Sequence, residues 1–170
     1  MYSRHFESGV HVNAPPEVLF AELDDQERLS AHMMKSSAMM AGSTMDFEFD
    51  ERRGRAVGSR MRLYGNILGM PLEVIEAVTE RDPPRRKAWE TLGEPRLLVI
   101  GPYRMGFQIE SEDDGSELTV FIDYDEPSGA LRILGKLLGG MYARWCTRSM
   151  AEGAAAHFRR IGPAISGSLS

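Results

Sequence analysis

His5, His11, His32 and His157 carry imidazole, the side-chain type whose ordinary pKa lies nearest neutrality, and they lie too far apart to form any local metal-binding or triad spacing. The sequence contains no GxSxG nucleophile elbow, no HExxH helix, no Walker-type phosphate loop and no GxGxxG dinucleotide loop. Neither a metal nor a cofactor is therefore expected. His157 is the one acid–base candidate: it follows Trp145 and Met150 in a helical pattern from which it could enter the interior as a polar anchor or proton carrier. The same position suits a surface histidine whose charge complements a helix C-terminus.

Tyr64, Trp89, Tyr103, Tyr124, Tyr142 and Trp145 each join an apolar body to a single hydrogen-bonding group. One or two of them would orient a ligand carbonyl or hydroxyl, and the rest would pack a core with the polar tip outward. The eleven methionines suit either an adaptable apolar pocket or gap filling in an ordinary core. Arg52, Arg53, Arg55, Arg60 and Arg62 face Asp46, Glu48, Asp50 and Glu51 across a hairpin, as expected of cross-strand pairing on a solvated surface. Arg81, Arg85, Arg86 and Lys87 flank Pro83 and Pro84, where plain exposure is expected and transient contact with a membrane surface is the alternative.

These side chains need a scaffold, and 170 residues with 42% hydrophobic and 26% charged composition are enough for one domain with a real core. That domain is expected over residues 1–165, with 166–170 as a flexible tail. The net charge of -5 argues against nucleic acid as a partner. Cys146 stands alone, which leaves no intrachain disulfide and no cysteine-rich zinc site. With no signal-peptide pattern and no apolar run long enough to cross a bilayer, cytoplasmic residence is expected.

Phe6, Ser8, Val10 and Val12 alternate with polar residues as a half-buried strand. Asn13 or Ala14 is expected to cap a helix opening on Pro15, Pro16 and Glu17, and a second short helix is expected from Asp25 through His32. Residues 33–45 read as a loop. Alternation returns at Met45, Phe47 and Phe49, at Met61 and Leu63, and over about Leu72 to Glu80, Lys87 to Leu92, Leu98 to Ile109 and Leu118 to Tyr124. Around Val74 and Ile75 both phases are apolar, which a bulge or two-sided burial would explain. Leu131, Leu134, Leu138, Met141 and Trp145 then follow helical spacing, predicting a long helix that Pro163 ends. Gly139, Gly140 and Gly153 within it permit a bend or a close backbone approach.

This order of elements, the stretch Val10-His11-Val12-Asn13-Ala14-Pro15-Pro16-Glu17-Val18-Leu19-Phe20, and the strand–turn–strand from Val74 through Pro83-Pro84 to Trp89-Glu90 resemble the START-like, or SRPBCC, superfamily over nearly the whole chain. The resemblance implies an α+β helix-grip fold. In it a curved antiparallel sheet of about seven strands, with two short helices after the first strand, wraps a long C-terminal helix and encloses an apolar pocket. On that frame the expected lining is Phe47, Met61, Leu63, Trp89, Tyr103, Met105, Phe107, Leu138, Met141 and Trp145. The resemblance implies a carrier or sensor of a small hydrophobic molecule. A polyketide cyclase or dehydratase-like enzyme using the same pocket, and an assembly factor docking other proteins, are the alternatives.

Overall fold

Alternation of apolar and polar side chains builds most of the molecule, because each strand buries one of its two faces. The computed structural model describes residues 1–25, 43–67 and 69–166. The chain runs β1 (Arg4–Val12), α1 (Pro16–Asp24), β2 (Ser43–Phe49), β3 (Arg60–Ile67), β4 (Met70–Asp82), β5 (Arg86–Thr91), β6 (Tyr103–Glu112) and β7 (Gly115–Tyr124). A single 3-10 turn (Gly129–Leu131) then leads into α2 (Arg132–Ser166). The second helix expected from Asp25 through His32 and the loop over 33–45 lie largely outside the described residues, as do residues 167–170 of the expected tail.

The seven strands form one antiparallel sheet in the order β1-β7-β6-β5-β4-β3-β2. Strands β2 to β7 form a meander, and β1 closes on β7. Register places Phe47 opposite Leu63, Phe49 opposite Met61, Met61 opposite Glu76 and Leu63 opposite Val74. The same face continues through Trp89 opposite Met105, Met105 opposite Ile122 and Phe6 opposite Ile122. Phe47, Met61 and Phe107 therefore share the inner face, as the alternation predicts. Strand β4 has a bulge between Val78 and Glu80, and it is Val74 that turns inward while Ile75 is exposed.

Helix α1 buries Leu19, Phe20 and Leu23, and Phe20 meets Phe107 edge-on with ring centroids 5.6 Å apart. Its N-cap is Pro15, with no side-chain capping bond, instead of the expected Asn13 or Ala14. Asn13 is engaged elsewhere, its Oδ1 lying 3.1 Å from His11 Nε2. Strand β6 starts at Tyr103, later than the expected Leu98, because Gly101 and Pro102 form a connection in which the Gly101 amide donates to Asp125 O. Nor does Pro163 end α2, which runs on to Ser166.

The face α2 presents to the sheet also differs from the periodic expectation. Leu131, Leu134, Leu138 and Met141 are exposed, and the buried stripe is Gly135, Gly139, Ala143, Cys146, Thr147, Met150, Ala151, Ala154, Ala155 and Phe158. Small residues let the helix axis approach closely. A Cβ on Gly135 would stand 2.3 Å from Pro127 Cδ, and one on Gly139 would stand 2.8 Å from Val99 O. Helix α2 packs chiefly on β1 and β7, where the Ser8 and Thr147 hydroxyls meet at 3.0 Å.

Candidate functional site: a buried carboxyl between sheet and helix

Strand β4 carries Glu76 inward between Val74 and Val78, so an ionisable side chain enters an apolar layer with only 5% of its surface exposed. Isolated burial of a carboxylate is expensive unless it is hydrogen-bonded or protonated. Glu76 uses both. The Tyr103 hydroxyl on β6 donates to Glu76 Oε1, and the Trp89 indole N–H on β5 donates to the same carboxyl. Burial outweighs these two bonds and raises the Glu76 carboxyl from 4.5 to about 7.

Tyr103 is itself buried, and desolvation together with the neighbouring Glu76 pushes its phenol well above the ordinary range. Thr91 fixes its backbone: the Tyr103 amide donates to Thr91 Oγ1 at 3.2 Å, and that hydroxyl donates to Tyr103 O at 3.4 Å. From the opposite wall, Tyr142 and Cys146 on α2 are hydrogen-bonded to each other and close enough to interact electrostatically with Tyr103. Burial raises the Cys146 thiol to about 12, so it is a neutral group there rather than a nucleophile. Glu76, Trp89, Tyr103, Tyr142 and Cys146 thus form one cluster of proton donors and acceptors inside an apolar shell. Such a cluster can bind a polar atom of an otherwise hydrophobic molecule, and Glu76 can exchange a proton near neutrality.

Of the expected lining residues, Met61, Trp89, Tyr103, Met105 and Phe107 are brought together on the buried inner face. Phe47 and Leu63 are half-buried on the same face toward β2. Trp145 is half-buried with its ring 5.8 Å from that of Tyr142. Leu138 and Met141 point away from this group and are 37% and 55% exposed. Met141 instead borders, with Phe6, Arg144, Trp145 and Arg148, an open groove of about 1330 Å³ along α2.

His157 lies apart from the cluster, its Nε2 3.7 Å from Glu22 Oε1 on α1. Glu76 is not among the candidates that composition and spacing single out. The available signal is that Trp89 and Tyr103, both assigned to the inner face, each carry a polar tip that needs a buried partner.

A second buried polar group is structural. Lys87, fully buried, donates to Asp24 O and to Asp24 Oδ1, both at 2.9 Å, while Arg81 forks onto the same carboxylate at 3.1 and 2.8 Å. Burial would raise Asp24, but bonds from Arg81 and Lys87 prevail and hold it below its ordinary value. For Lys87 burial prevails and pulls the ammonium down. The arrangement ties the end of α1 to β4 and β5. The expected solvent exposure of the Arg81, Arg85, Arg86 and Lys87 group therefore does not hold for Lys87. Arg86 is also engaged, with Glu80 at 3.1 Å and Gln108 at 3.0 Å, and its guanidinium lies 5.1 Å from the Phe121 ring centre. Across the β2–β3 hairpin, Arg62 pairs with Glu48 at 3.1 Å, as cross-strand pairing predicts.

No protein-family model and no curated protein sequence matches the chain. Solved structures do. The ZhuI aromatase/cyclase of a Streptomyces species superposes with a TM-score of 0.67 at 15% identity, over 96% of this chain and 98% of that one. The Thermus thermophilus protein TTHA0849 gives 0.63 at 17% identity over 95% and 99%. Major latex-like protein 151 of Panax ginseng gives 0.54 at 13% identity over 91% and 97%. The likeness establishes the helix-grip fold that the sequence resemblance implied. No helix among the described residues is long and apolar enough to cross a membrane.

Proposed function

We propose that the chain binds a small hydrophobic molecule bearing a carbonyl or hydroxyl group between the inner face of the sheet and α2, as a carrier or sensor. The observation that carries this reading is the Glu76–Tyr103–Trp89 cluster. A carboxyl held by Tyr103 and Trp89 inside an apolar layer is a polar anchor that the carbonyl or hydroxyl of a hydrophobic ligand can meet. The inner-face residues Met61, Leu63, Met105 and Phe107 supply the apolar contact, and Glu76 and Tyr103 supply orientation. That one neighbour of the same fold is an aromatase/cyclase agrees with a ligand of this class.

One observation favours a second, enzymatic reading: a carboxyl titrating at about 7 is matched to general acid–base work at neutral pH. In a cyclase or dehydratase-like reaction Glu76 would take or return a proton at carbon or oxygen while the Tyr103 phenol held the developing oxyanion. Native mass spectrometry of gently purified protein, followed by calorimetry with fatty acids, sterols and aromatic polyketides, tests the binding reading. Retained ligand, with affinity lowered about tenfold by Tyr103→Phe, is expected, corresponding to loss of one buried hydrogen bond of about 1.5 kcal/mol. Absence of any bound molecule across all three classes would overturn it. If Glu76→Gln preserves affinity for an identified molecule but abolishes its turnover, the enzymatic reading replaces the carrier.

A further inference from the structure

Helix α2 turns small residues toward the sheet, which leaves its bulky apolar side chains on the outside. Ile133, Leu137 and Met141, spaced four residues apart, are 73%, 74% and 55% exposed, and Leu134 and Leu138 broaden the same stripe at 36% and 37%. Arg144 and Arg148 continue the row about one and two turns beyond Met141, both exposed, while Lys136 and Arg132 flank it. Between Glu126 and Glu152 the sequence holds these four cations and no acidic residue, in a chain whose net charge is -5; Arg132 is paired with Glu126 at 3.4 Å, which leaves Lys136, Arg144 and Arg148 as the local excess. The exposed basic groups and the exposed apolar stripe therefore coincide on one helix, against the electrostatic trend of the rest of the protein.

We infer that the first half of α2 is an interfacial helix that seats the protein on an anionic lipid bilayer. An apolar stripe bordered by Lys and Arg is the pattern that lies in a membrane interface, its aliphatic side chains entering the acyl boundary and its cations meeting lipid phosphates and carboxylates. Charge decides the occupant. Lys136, Arg144 and Arg148 form a local excess of positive charge beside the apolar stripe, and an anionic surface complements it. The mode is lateral contact and not spanning. The inference is independent of the interior ligand, since it needs only the outer face of α2.

Co-sedimentation of the full chain with vesicles of phosphatidylcholine mixed with phosphatidylserine, and of phosphatidylcholine alone, tests it. Binding to the mixed vesicles that falls as salt rises is expected. Arg144→Gln with Arg148→Gln should lower the partition coefficient about thirtyfold, and Ile133→Ser with Leu137→Ser by about tenfold or more. All four positions are exposed, and unchanged unfolding midpoints would verify that these variants remain folded. Failure to prefer anionic vesicles, or binding by both double variants equal to that of the parent, would overturn the inference. So would a dimer in light scattering that Ile133→Ser with Leu137→Ser dissociates, since the face would then belong to a second copy. Because no interior ligand is used, a negative result here leaves the proposed pocket function intact, and loss of the pocket function leaves this one intact.

Discussion

Glu76→Gln replaces an ionisable group by a neutral one of the same shape that still offers Tyr103 and Trp89 an oxygen acceptor. In the native protein the carboxyl holds its proton up to about pH 7, whereas its ordinary value is 4.5. Between those two values the folded state binds a proton that the unfolded chain has released. Stability must therefore fall as pH rises through this window and level off above it. At about 1.4 kcal/mol for each pH unit, the loss amounts to about 3 kcal/mol, a large part of the stability of a domain of this size. Glutamine has no such dependence. Urea unfolding of both proteins at pH 5 and pH 8.5 isolates the effect, because every other titrating group cancels in the difference between variant and parent. Relative to its own difference at pH 5, which already lies inside the window, the variant should gain about 2.5 kcal/mol at pH 8.5. An equal difference at both pH values would refute the buried-carboxyl argument, and with it the role given to Glu76.

Lys87→Met should destabilise the protein by about 3 kcal/mol, read as a lowered urea midpoint, because the buried Asp24 carboxylate keeps only Arg81 as a charged donor and the Asp24 carbonyl at the end of α1 loses the Lys87 ammonium. Gly135→Ala should cost about 1–3 kcal/mol by forcing a methyl group against the Pro127 ring. Gly153→Ala in the same helix, where no heavy atom lies within 4 Å of the added carbon, should instead stabilise by about 1 kcal/mol, so the pair separates close packing from helix propensity in a thermal melt. Cys146, buried with its thiol raised to about 12, should react with an aromatic disulfide reagent only as fast as the protein opens, and rapid labelling of the native state would contradict its placement.

Strand positions are readable in the sequence because alternation is a local signal. Phe6, Ser8, Val10 and Val12, and Tyr103, Met105, Phe107 and Ile109, each announce their buried face within a few residues. Glu76 is not readable for the same reason. In a strand where Ile75 and Ala77 make the opposite phase apolar too, an acid carries no inward mark, and its burial depends on Trp89 and Tyr103, 13 and 27 residues away. Helix α2 misleads differently. Its leucine spacing gives a convincing apolar stripe, yet the stripe that packs is made largely of glycine and alanine, whose contribution is proximity and not bulk. The outer face of that helix, with its lysine and arginines, becomes legible only once the small-residue face has been assigned.

The pairing of β1 with β7 has a consequence for how the chain acquires its structure. Arg4 lies opposite Tyr124 and Val12 opposite Ser116, so this ladder joins residues more than a hundred positions apart, while β2 to β7 pair in succession along the chain. Closing so long a loop has a higher entropic cost than zipping successive hairpins, which places the β1 ladder late in folding. During synthesis the first strand leaves the ribosome long before its partner exists, with Phe6, Val10 and Val12 unprotected. Helix α2, which rests on both β1 and β7, emerges after both and holds the two strands together.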